Sequence, residues 1–66
     1  MNDDDALEQA AAAVEAAKRD LYAARRVLAT AVQAARRSGV SVARIAARTG
    51  LDAGAVRNML AAAGVR

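Results

Sequence analysis

The sequence predicts an all-α fold: one long N-terminal helix followed by two short helices in a helix-turn-helix arrangement, making a trihelical unit with the end of the first. Three observations predict it. Residues 6–38 contain neither Pro nor Gly and repeat their apolar positions every seven residues. Gly39 then interrupts the pattern. Two shorter amphipathic stretches follow, joined through Thr49-Gly50-Leu51.

The first helix is expected to begin at Asp5, an N-cap whose Glu8 three residues later resembles a capping box. The neighbouring Asp3 and Asp4 suit the positive end of the helix dipole. Arg36 and Arg37 suit the negative end, and Gly39 supplies a left-handed stop. Such a helix of about 32 residues spans roughly 48 Å.

Leu7, Val14, Leu21, Leu28 and Ala35 occupy one heptad position of this helix, and Ala10, Ala17, Ala24 and Ala31 occupy the other. Glu8, Gln9, Glu15, Arg19, Arg26, Thr30, Gln33, Arg36 and Arg37 fall on the opposite side, with Lys18, Asp20 and Arg25 flanking the seam. That is a coiled-coil pattern, so residues 1–38 are expected to dimerise through Leu7, Ala10, Val14, Ala17, Leu21, Ala24 and Leu28. Composition points the same way. The chain has 66 residues, 56% of them hydrophobic, but alanine supplies most of these and buries little area apiece. Without Cys or His, disulfides and thiolate or imidazole metal sites are unavailable as staples, which leaves oligomerisation. An antiparallel pairing is expected, because it sets acidic residues 1–20 beside a half made basic by Arg25, Arg26, Arg36 and Arg37.

Residues 39–66 form the second expected unit. Ser41 caps a helix over 42–48, and Asp52 caps one over about 53–62. The stretch VARIAARTGLDAGAVRNML at 42–60 fits the helix-turn-helix pattern: small Ala46 at the helix crossing, Gly50 four residues later in the turn, Leu51 into the core. Ile45, Val56 and Met59 are the other inward positions, supported by Leu60, and Val27, Ala31, Val32 and Ala35 close the core from the first helix.

Charge separates the two halves. Residues 1–20 hold six acids against Lys18 and Arg19, a balance of −4, while residues 21–66 hold eight arginines against Asp52, a balance of +7. A basic half on so small a chain suits a polyanion, above all double-stranded DNA. In a helix-turn-helix the second helix enters the major groove. Its outward residues here are Ala53, Gly54, Arg57 and Asn58. Arginine pairs in bidentate fashion with guanine and asparagine with adenine, so Arg57 and Asn58 are the base-reading candidates. Ser41, Arg44, Arg48 and Thr49 are candidate phosphate contacts, and Arg36, Arg37 and Arg66 add unspecific attraction. Asp52 is expected to serve as a cap, and Tyr22, the one aromatic residue, as surface packing.

An enzyme is not expected, since no phosphate loop or nucleophile–base pair is present. Nor is a cofactor, metal or small-molecule ligand. There is no apolar run long enough to span a membrane, and the acidic start is unlike a signal peptide, so a cytoplasmic protein on the nucleoid is expected.

In its long helix followed by SVARIAARTGLDAGAVRNML, its small size and its Ala/Arg-rich composition, the chain resembles the small actinobacterial nucleoid-associated proteins with a single helix-turn-helix, such as the GATC-binding kind of streptomycetes. The motif at 40–62 is also similar to the DNA-binding domain of actinobacterial xenogeneic silencers. The resemblance implies a dimer joined through the N-terminal helices, two helix-turn-helix wings on DNA, and many chromosomal sites containing GATC. Two other functions fit the residues: a dedicated repressor or phage-type regulator with one operator, and a helical adaptor that uses the seam to bind another protein.

Overall fold

The computed structural model describes residues 2–65, and these form three helices with no strand. Helix α1 covers Asp3–Arg37, α2 Val42–Thr49 and α3 Ala53–Ala62. No helix among the described residues is long and apolar enough to cross a membrane.

Helix α1 begins earlier than expected, and Asp5 is not its cap. The Asn2 side-chain oxygen accepts a hydrogen bond from the Asp5 backbone N–H at 2.8 Å, and the Asn2 backbone carbonyl accepts from Ala6 N–H. Asn caps a helix as well as Asp does, so the first available cap sets the start. Asp3, Asp4 and Asp5 then fill the first turn, where the dipole favours negative charge. Glu8 makes no capping hydrogen bond among the described residues.

The end of α1 is a Schellman closure. Gly39, at φ +95°, lets its N–H reach the Arg36 carbonyl and the Val40 N–H reach the Ala35 carbonyl. The same device closes α3: Gly64 at φ +69° donates to Ala61, and Val65 N–H donates to the Leu60 carbonyl at 2.9 Å. In both closures the residue after the glycine is a valine packed against the core. Val65, beyond the helix expected over about 53–62, is therefore a core-packing residue.

All three helices contribute to one small core. Val32 of α1, Ile45 of α2, and Val56 and Leu60 of α3 are buried. Leu28, Ala35, Val40, Val42, Ala46, Leu51, Met59 and Val65 pack around them half-buried. Leu60 thus lies deeper than Met59, the reverse of the order expected. Val27 is not in the core at all, being 71% exposed. Val27 and Val32 are five residues apart, a rotation of about 140° around a helix of 3.6 residues per turn, so one face cannot hold both. Val27 instead shares a shallow outer surface with Ala23, Arg26, Ala31 and Ala34. Ala31, also expected inside, is exposed.

The core ends at Leu28, and the rest of α1 projects beyond it, giving the molecule extents of 55 × 20 × 15 Å. Leu7, Val14 and Leu21 are 68%, 54% and 48% exposed, and Tyr22 also faces solvent. Ala10, Ala17 and Ala24 of the second heptad row are exposed as well.

Candidate nucleic-acid interface

The turn between α2 and α3 determines how the polar residues are presented. Gly50 ends α2 in the left-handed conformation, φ +75°, with its N–H bonded to the Ala46 carbonyl at 3.0 Å. Thr49 locks the same turn. Its hydroxyl donates to the Ile45 carbonyl at 2.8 Å and accepts from the Leu51 N–H at 3.3 Å. Leu51, held by that bond, packs against the core. Thr49, expected as a phosphate contact, is thus half-buried, with its hydroxyl engaged within its own chain.

Asp52 starts α3 as anticipated. Its Oδ1 accepts from the Ala55 N–H at 2.7 Å, and its carbonyl accepts from Val56 N–H. With Val56 and Leu60 facing inward, the helical period places Gly54, Arg57 and Asn58 on the outer face, where all three are exposed. Ala53 is half-buried at the edge of that face. Neither Arg57 nor Asn58 forms a side-chain hydrogen bond or ion pair among the described residues, so their donors and acceptors are available to a ligand. A Cβ on Gly54 would meet nothing closer than Asp52 Oδ1 at 3.3 Å.

Ser41 is exposed at the start of α2, its hydroxyl oxygen accepting from Arg44 N–H at 3.1 Å, and it keeps a proton to donate outward. Arg44 and Arg48, four residues apart, share one face of α2 and are both exposed. They line a groove of about 430 Å³ against α1, together with Leu28, Ala31, Ala35 and Ile45. The expected site residues therefore divide in two: Gly54, Arg57 and Asn58 on the outer face of α3, and Arg44 and Arg48 beside the groove. Nothing in the residue pattern had signalled the groove, because its lining is split between α1 and α2, which are apart in sequence.

Arg36 is half-buried and donates from Nη1 to the Val40 carbonyl at 3.3 Å, which ties it to the end of α1. Arg37 is exposed, and Arg66 lies outside the described residues. The one ion pair among the described residues is Lys18–Glu15 at 3.2 Å, at the opposite, acidic end of the molecule. The basic end thus carries arginines free of internal carboxylate partners, a surface suited to phosphate. Comparison with known proteins gives no match: no family model fits the sequence, and no curated protein or solved structure is similar to it.

Proposed function

We propose that this chain is a dimeric, architectural DNA-binding protein of the nucleoid, with α2 and α3 as its helix-turn-helix. The observation that carries the reading is the outer face of α3. It presents Arg57 and Asn58 unpaired, on a helix fixed by the left-handed Gly50 and the Asp52 cap, in the basic half of the chain. In the major groove Arg57 donates twice to guanine, and Asn58 both donates to and accepts from adenine. Exposed Gly54 lets the backbone approach the duplex. Ser41 contacts phosphate, and exposed Arg37 adds attraction that reads no sequence.

Two base-reading side chains specify only a few base pairs per unit. Such a protein binds short, frequent motifs, and the GATC that the resemblance implies is compatible with Arg57 on guanine and Asn58 on adenine. This favours genome-wide binding over a single operator. Pairing two copies through the exposed row of Leu7, Val14 and Leu21 doubles the contact with DNA.

The test is a gel shift with mixed genomic fragments across a salt series. Retardation that weakens steeply as salt rises supports the reading, because each phosphate contact releases a counterion. No retardation at 50 mM salt refutes it. The exposed apolar row of α1 also suits a second reading, an adaptor that binds a foreign helix. That reading predicts a chain that stays monomeric alone and leaves DNA unshifted.

A further inference from the structure

The groove between α1 and α2 lies at the core end of the same apolar row that is exposed farther up α1. Leu28, Ala31 and Ala35 line it from α1, and Arg44, Ile45 and Arg48 from α2. Its chemistry is therefore an apolar trough beside two guanidinium groups with no bonded partner among the described residues. A complementary occupant has an apolar side chain flanked by carboxylates on one face.

The first turns of α1 have that composition. Asp3 and Asp4 lie four and three residues before Leu7, so all three share a helix face. Leu7 is the most exposed of the leucines in the seam, and both aspartates are exposed. They cannot reach the groove of their own chain. Asp4 and Ala31 are on one continuous helix, about 40 Å apart at 1.5 Å per residue.

We propose that the groove is the seat of the first turns of α1 from a second copy, with Leu7 against Leu28 and with Asp3 and Asp4 against Arg44 and Arg48. This rests on the dimer reading above and specifies its direction and register. Setting Leu7 against Leu28 in antiparallel helices also sets Val14 against Leu21, and it brings residues 3 and 4 alongside residues 31 and 32. By symmetry both grooves are filled. The two Lys18 side chains come near each other at the centre, and each already has Glu15 as its counter-charge at 3.2 Å. The apolar rows supply the attraction, and the acidic turn selects the antiparallel arrangement over the parallel one, which would stack the acidic ends together.

The test is a double-mutant cycle on the dimer dissociation constant, measured by analytical ultracentrifugation at 50 mM salt. The four proteins are the wild type, Asp3→Asn with Asp4→Asn, Arg44→Gln with Arg48→Gln, and the combination. Asn2 is kept throughout, so the cap of α1 persists. Each pair of substitutions alone should weaken the dimer about tenfold, and the combination should weaken it no further. The differences should vanish in 1 M salt, where charges are screened beyond about 3 Å. Independent, multiplicative effects overturn the groove assignment while leaving the dimer intact. A wild type that is monomeric overturns the dimer reading itself. A second measurement does not depend on charge. The sequence has no cysteine, so Asp4→Cys with Ala31→Cys should oxidise to a disulfide between copies, mapped to positions 4 and 31. Efficient self-crosslinking of Ala10→Cys instead would show a parallel pair and overturn the proposal.

Discussion

Replacing Leu21 by aspartate should dissociate the proposed dimer without unfolding the subunit. Leu21 lies seven residues before Leu28, the first α1 residue packed on the core, so the subunit does not use it. It is 48% exposed in the single chain, which leaves about half of its side chain for a partner to cover. Full burial of a leucine contributes about 1.5–3 kcal/mol, so covering the remaining half contributes about 1 kcal/mol per copy, or about 2 kcal/mol per dimer. Leu21→Ala, losing most of that, should raise the dissociation constant about 30-fold, at about 1.4 kcal/mol per factor of ten. Leu21→Asp adds the desolvation of a carboxylate in each copy, a further few kcal/mol together, and should raise it at least a thousandfold. Ultracentrifugation over a concentration series reads the constant, and circular dichroism follows the helices. DNA affinity should fall with the dimer, along with the steepness of its salt dependence, because a monomer presents half the phosphate contacts. An unchanged constant for Leu21→Asp would refute the seam. Loss of the core's cooperative melting in that variant would refute the separation of dimerisation from folding.

Three other perturbations probe the subunit and its reading face. Arg57→Ala and Asn58→Ala should each reduce discrimination between preferred and random duplexes by about 1–3 kcal/mol in competition binding, while the thermal midpoint holds. Preference that persists as total affinity falls would move sequence reading elsewhere. Gly50→Ala meets no neighbouring atom within 4 Å, so its cost is the left-handed backbone alone, about 1–2 kcal/mol in urea unfolding. Val56→Ala empties the most buried position of a four-residue core and should cost about 2–3 kcal/mol. A loss below about 1 kcal/mol would mean that the core collapses to fill the space.

How much the sequence reveals depends on whether a feature is local. The Ser41 and Asp52 caps and the left-handed Gly39 and Gly50 follow from residue chemistry within four positions, and all four stand where the pattern put them. The start of α1 was ambiguous because Asn2, Asp3, Asp4 and Asp5 are all competent caps, and the choice among them is made by which additional turn can form. Val40 and Val65 were legible in principle, since an apolar residue after a C-terminal glycine packs back on the helix it ends. The outer face of α3 was legible because Val56 and Leu60 fix the helix's rotation.

The division of α1 into a core-packed part and an exposed part was less legible, for a geometric reason. A seven-residue repeat on a helix of 3.6 residues per turn drifts by about 20° per heptad. From Leu7 to Ala35 the row therefore swings through about 80°, and one heptad letter does not mean one direction. At its core end the row lies beside the stripe containing Val32, which the subunit buries, while its upper members remain exposed. A partner that follows Leu7, Val14 and Leu21 down α1 is carried around the helix as it descends. The drift brings it to Leu28 and Ala35, on the side where α2 contributes Arg44 and Arg48 to the groove. In the proposed dimer the same drift leads an antiparallel partner's acidic first turn towards those two arginines. On the proposed reading, one continuous apolar row serves both the subunit's core and the pairing helix, with no linker between them.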